Sequence, residues 1–128
     1  MRYSISKQDT IYYIIATVES DRLKFLKEST MMIRTFDEEV IKLEGALIDN
    51  DTQSVGIMSG NIMIPVPVIS STAQFIVTPS QLKSLKAGIA KVRLSTIPIT
   101  HERSFKKDKI GKKLYEFYLK EKNKDDSF

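Results

Sequence analysis

Residues 75–95 read FIVTPSQLKSLKAGIAKVRLS, and no other stretch defines three consecutive elements so firmly. Residues 73–77 are rich in β-branched and aromatic side chains, the composition of a strand. Thr78, Pro79 and Gln81 then spell a helix start: Thr as N-cap, Pro at the first helical position, and Gln placed to close a capping box. Val77 and Leu82 flank that start as a hydrophobic staple. Leu82 and Leu85 face inward, and Gly88 suits the position just past the helix end, so the spacing predicts a helix over 79–87. Ala90, Val92 and Leu94 alternate with Lys91, Arg93 and Ser95, the pattern of a half-buried strand. Pro98 separates residues 97–100 from it.

Toward the N-terminus the chain reads as strands. Residues 11–18 are β-branched and aromatic. Residues 20–29 fit a short helix or a strand equally poorly. Residues 31–35 and 40–48 flank Phe36-Asp37-Glu38-Glu39, which suits a hairpin loop. Asp49-Asn50-Asp51 reads as a second turn, because such side chains cap their own backbone. Ser59-Gly60-Asn61 reads as a third, between strands at 53–58 and 62–69. Pro65 and Pro67 have the same parity on that last strand, so they delete hydrogen-bond donors along one side only. That places the strand at a sheet edge and blunts the edge against unwanted pairing.

Toward the C-terminus, residues 104–123 read SFKKDKIGKKLYEFYLKEKN. A helix over about 105–122 puts Ile110, Leu114, Phe117 and Tyr118 on one face, to be packed on the sheet. Lys109, Lys112, Lys113 and Lys120 gather on the other face, with Glu116 among them. The expected fold is therefore α+β: an antiparallel meander sheet of five to seven strands, the capped helix 79–87 and the C-terminal amphipathic helix. A single domain is expected over 1–124, with 125–128 as a frayed tail.

This order of a strand-rich front, the FIVTPSQLKSLKAGIAKVRLS unit and a closing amphipathic helix resembles small α+β domains of uncharacterised bacterial and phage proteins. The resemblance covers about half the chain, from Ala73 onward. It implies a fold and no activity, so no site residue is carried over from it.

The totals narrow the chemistry. A chain of 128 residues with 41% apolar side chains can bury a normal core without a metal or disulfide staple. It has no Cys, which excludes disulfides, thiolate metal sites and a Cys nucleophile. No apolar run approaches the ~20 residues that span a bilayer, and the first residues lack the apolar core of a signal peptide. A soluble, cytoplasmic protein without a membrane partner is the expectation. The net charge is +4, and 15 Lys against 5 Arg, with abundant Ile, suggests AT-rich coding in a bacterium or phage.

No catalytic constellation stands out. His101 is the single His, so neither a His-rich metal site nor a His-based nucleophile relay is marked by pattern. Asp37-Glu38-Glu39 and Asp49-Asn50-Asp51 offer oxygens to a hard cation but read more simply as solvated turns, the second lacking the Gly and Glu of a calcium loop. The glycines are too scattered for a phosphate-cradling loop. No cofactor is called for. Met31, Met32, Met58 and Met63 read as core filler, with an adaptable binding surface as the other reading.

The candidate contact surface is basic: Lys91 and Arg93 on the strand, with Lys106, Lys107, Lys109, Lys112, Lys113 and Lys120 on and before the last helix. The simplest reading of that ridge is a solvated helix face. The leading functional expectation is a non-catalytic protein-interaction or accessory protein, with a homodimer through a sheet edge as one form of partnership. The second is nucleic-acid binding through the lysine ridge, weakened by the preference of base readout for Arg and by the absence of a recognition motif.

Overall fold

A computed structural model describes the chain over residues 1–20 and 23–126. The elements run β1 (Arg2–Gln8), β2 (Ile11–Ser20), β3 (Lys24–Phe25), β4 (Glu28–Thr35), β5 (Val40–Ser59), β6 (Ile62–Val77), α1 (Pro79–Ser84) continued by a 3-10 turn (Leu85–Ala87), β7 (Ile89–Leu94), β8 (Thr96–Ile97), β9 (His101–Ser104) and α2 (Gly111–Asp126). Seven strands form one antiparallel sheet in the order β1-β2-β6-β5-β4-β7-β9, and β3 pairs with β8 in a small ribbon. The α+β expectation holds. The order refines the meander: β4, β5 and β6 follow one another, but β2 pairs with β6 rather than with the next strand in sequence.

Alternation explains which face is buried. Ile14, Ala16 and Val18 of β2, Ala73, Phe75 and Val77 of β6, Ile41 and Leu43 of β5, and Met31 and Ile33 of β4 all point to one side and are buried there. α1, α2 and the β3–β8 ribbon cover that side, with Leu82, Leu85, Leu114 and Tyr118 buried against it. Phe25 meets Phe75 edge-on at 6.1 Å, and Tyr12 meets Tyr118 at 5.1 Å. The opposite face carries side chains such as Thr17, Thr72, Lys42 and Glu44, and among the described residues no helix lies over it.

The capping box forms as its residues predict. Gln81 N–H donates to Thr78 Oγ1 at 3.2 Å, and Thr78 N–H donates to Gln81 Oε1 at 2.9 Å. Gly88 closes the 3-10 turn with φ +86°. Thr78→Ala should cost about 1 kcal/mol, the typical value of a lost N-cap, in a urea or thermal unfolding measurement.

Several expectations change. Asp49-Asn50-Asp51 is not a turn: β5 runs through it, and the register slips by one residue between Leu47 and Asp49. A short polar run suits a β-bulge as well as it suits a turn. The strands expected at 62–69 and 73–77 are likewise one strand, β6. The last helix begins at Gly111 rather than near 105, because Asp108 caps it there, and β9 occupies 101–104. α2 continues to Asp126, so two of the four residues read as a tail are helical; 127–128 lie outside the described residues. Within the stretch 20–29, β3 and the start of β4 are seen, and 21–22 lie outside the described residues. β1 and β9 were not among the expected strands; only Ile5 of β1 is fully buried, so its sequence is mostly polar.

The joined strands create an arm. β4 covers β5 as far as Ala46, with one further bond from Leu47 N–H to Lys27 O, and β2 covers β6 as far as Ile69. Beyond those points, among the described residues, β5 and β6 pair only with each other, out to Ser59 and Ile62. Gly60, at φ +64°, takes the first central position of the two-residue turn at the tip, where a side chain would be strained. Pro65 and Pro67 therefore lie where β6 is an edge, although the same strand is central further along.

Candidate functional site

A groove of about 420 Å³ lies between α2 and the strands β1 and β9. Its walls come from Tyr3 and Arg2 on β1, Arg103 on β9, Phe105 after it, and Ile110, Lys113 and Phe117 along α2. β9 reaches this position because Phe105 N–H donates to Ala90 O at 2.8 Å, which extends the β7 pairing past Ser104. α2 reaches it because Asp108 anchors the first turn.

Asp108 is the organiser. Its Oδ1 accepts from the backbone N–H groups of Gly111 (2.7 Å), Ile89 (3.0 Å) and Ile110 (3.2 Å), and its Oδ2 accepts from Lys112 N–H (2.9 Å). Three of these donors belong to the start of α2 and would otherwise be unsatisfied. The fourth belongs to β7, so one carboxylate ties helix to sheet. Partial burial opposes its ionisation, but the four donors win and hold its carboxyl below the ordinary aspartate range. Gly111 is the second half of the anchor. A β-carbon there would lie 2.8 Å from Leu85 O and 2.9 Å from both Gly88 Cα and Ile89 N. Only glycine lets α2 approach this closely.

The groove combines an apolar floor with a cationic rim. Ile110, Leu114, Phe105, Phe117 and Tyr3 supply the floor. Burial pushes the Tyr3 phenol well above the usual tyrosine range, against a weaker pull from Arg103, so it stays neutral and keeps its proton. Arg2, Arg103, Lys109 and Lys113 supply the rim, and no carboxylate lines the groove. Arg2 is held by Glu19 at 2.7 Å on exposed ground, whereas Arg103 stacks over the Phe105 ring at 4.9 Å. Among the described residues, no carboxylate lies within ion-pair distance of Arg103, Lys109 or Lys113. Lys120 Nζ sits 6.0 Å from the Phe117 ring, which places it beside the same groove.

The eight basic residues singled out by sequence thus divide. Lys109 and Lys113 line the groove, and Lys120 lies further along α2 beside Phe117. Lys112 lies on the neighbouring side of α2 next to Asp108, and Lys106 and Lys107 are exposed in the connection before it. Lys91 and Arg93 project from the open face of the sheet, opposite the buried Val92 and hence away from α2. Both are claimed by Glu102, whose two oxygens take Lys91 Nζ at 2.8 Å and Arg93 Nε at 2.7 Å. Those two cations hold the Glu102 carboxyl below its usual range. Lys91 and Arg93 therefore do not join the helix lysines in one surface. Arg2, Tyr3, Arg103, Phe105 and the outward role of Phe117 were missed. Phe117 was expected in the core but is more exposed than its helical neighbours Leu114 and Tyr118.

His101 lies at the base of β9. Its backbone N–H donates to Thr96 Oγ1 at 2.9 Å, and its buried Nε2 has no hydrogen-bond partner among the described residues. Burial, the Met1 amino group and Arg103 all lower its pKa, so the ring is neutral at pH 7. Asp37 accepts from Thr35 Oγ1 in the β4–β5 loop, and Glu38 there adopts φ +68°. Among the described residues, no three His, Asp or Glu side chains converge on a common point. None of their helices is long and apolar enough to cross a membrane. Comparison with protein-family models, curated proteins and solved structures finds no match to this chain.

Proposed function

We propose that this chain is a non-catalytic interaction protein whose groove takes an acidic, partly apolar segment of a protein partner. The observation that carries the reading is the lining: four cationic side chains around an aromatic and aliphatic floor, with no carboxylate among them. An anchoring aromatic or leucine side chain would fill the floor, and flanking Asp or Glu side chains would meet the rim. Arg103 is the strongest single contributor, since its guanidinium is already fixed on Phe105 and can grip a carboxylate with two hydrogen bonds at little entropic cost. A bare phosphate chain would use the rim and leave the apolar floor unfilled, and the two sheet cations that would widen a nucleic-acid footprint are occupied by Glu102.

The test uses fluorescence anisotropy. A labelled peptide in which Asp and Glu alternate with Phe and Leu is titrated with the full chain, beside a single-stranded and a duplex oligonucleotide. The peptide should bind, and an Arg103→Glu/Lys113→Glu double variant should weaken it by roughly 10- to 100-fold. A Lys91→Glu/Arg93→Glu variant should leave it unchanged. Tighter binding of either oligonucleotide, with a steep loss of affinity as salt rises, would instead establish the nucleic-acid reading.

A further inference from the structure

We infer that the β5–β6 arm is a dimerisation element, in which the free edge of β5 pairs antiparallel with the same edge of a second copy. The direction of each backbone group on the arm follows from two fixed points. Leu47 N–H donates to Lys27 O, so odd residues of β5 face β4 up to that position. The slip between Leu47 and Asp49 reverses the parity, and Ser54, Gly56 and Met58 then face outward. The two-residue turn at the tip gives the same result independently, because it requires Ser59 and Ile62 to bond each other. Even residues of β6 therefore face β5, and Pro65 and Pro67 face away from it.

The two edges of the arm are thus unlike. On the β6 side, the outward positions between Ile69 and the tip are Pro67, Pro65 and Met63, so two of the three donate nothing, and among the described residues the β2 ladder ends at Ser20–Ile69, before Pro67 is reached. With Met63 N–H as its one outward donor over that span, that edge is a poor template for a further strand. On the β5 side, the outward N–H and C=O groups of Ser54, Gly56 and Met58 have no strand against them among the described residues. The segment from Thr52 to Ser59 is roughly 25 Å long at 3.4 Å per residue, the length of an ordinary strand.

Three features select a second copy as the occupant. First, the outer arm from Thr52 through the tip carries no like charges to repel its own image: no charged residue lies between Asp51 and Lys83. Second, the tip is apolar on both faces, with Met58 at 61%, Ile62 at 68%, Met63 at 62% and Ile64 at 46% exposure, more apolar surface than an isolated two-stranded ribbon sustains in water. Third, each arm offers one edge with a full set of donors, so antiparallel pairing of arms closes at two copies and does not propagate through them. The geometry also leaves a place for it. β4 stops at Glu28, opposite Ala46, and the partner's arm would continue that row of the sheet.

Sedimentation velocity on the full chain tests this. The wild-type chain should be a dimer. Ser54→Pro removes an outward donor without removing a β5–β6 bond, and Ser54→Lys adds a positive charge to the same edge strand of both copies while keeping every backbone group. Both should weaken self-association roughly tenfold or more, with cooperative melting and the peptide affinity of the groove retained. Should Ser54→Pro fail to fold, the lysine variant decides. Pro65→Val/Pro67→Val should open the second edge and carry assembly beyond the dimer. A wild-type chain that stays monomeric at its solubility limit overturns the proposal, as does a dimer that survives both Ser54 variants. A proline double variant that stops at two copies overturns the capping role of the prolines.

Discussion

Asp108→Ala should destabilise the chain by about 2–3 kcal/mol, since it removes a charged helix cap and leaves buried donors unsatisfied. Four N–H groups lose their acceptor, and one of them, Ile89 N–H, is not on the helix. The loss therefore reaches past the fraying of α2 to the joint between α2 and β7. Its pH dependence identifies the cause. The carboxyl is held below its ordinary pKa in the folded chain. Such a group contributes stability that is fully present above the unfolded value of about 4 and is lost as pH falls through the lower folded value. The difference in urea midpoint between wild type and Asp108→Ala should be widest at neutral pH and should shrink below about pH 4. A difference independent of pH would mean that the side chain acts by packing rather than by accepting hydrogen bonds.

Gly111→Val should be at least as damaging, at about 3 kcal/mol, toward the upper end for overpacking. A β-carbon at 111 meets three backbone atoms, Leu85 O, Gly88 Cα and Ile89 N, none of which is the movable end of a side chain. α2 would have to lift from the 3-10 turn and β7. Lifting it also pulls Lys113 and Phe117 away from Arg103 and Phe105, so the groove should open while the sheet persists. Thermal unfolding reads the first effect. Loss of peptide binding, measured below the melting transition, reads the second. Retained affinity would show that the groove does not depend on this contact.

The local signals in the sequence were strong where one residue type performs one task. Thr78, Pro79 and Gln81 have few other uses in that order, and they form the expected capping box. Lys91 and Arg93 alternate with buried Val92 and Leu94 as predicted. The signals failed where one pattern serves two geometries. Asp49-Asn50-Asp51 suits a turn and a bulge alike, and reading it as a turn cut β5 in two and concealed the arm. Pro65 and Pro67 correctly marked a free edge but not that the same strand is central ten residues later. At the groove, the helix wheel supplied Lys109 and Lys113. It could not supply Arg2, Tyr3 and Arg103, because they reach the site only through the pairing of β1 with β2 and of β9 with β7, at opposite ends of the sheet. Phe117 was assigned to the core because periodicity reports a helix face, and the edge of that face here is the wall of a groove. Asp108 was visible only as one acid among lysines; its position three residues before Gly111 was the available sign of a helix cap.

Chemical-shift mapping addresses the central claim most directly. The ¹⁵N-labelled full chain is titrated with the acidic amphipathic peptide, and backbone amides are followed to saturation. The account predicts a contiguous set of shifts at Tyr3, Arg103, Phe105, Lys113 and Phe117, with Lys91, Arg93 and the β5–β6 tip unmoved. Shifts centred on Lys91 and Arg93, or scattered over every exposed lysine, would contradict it.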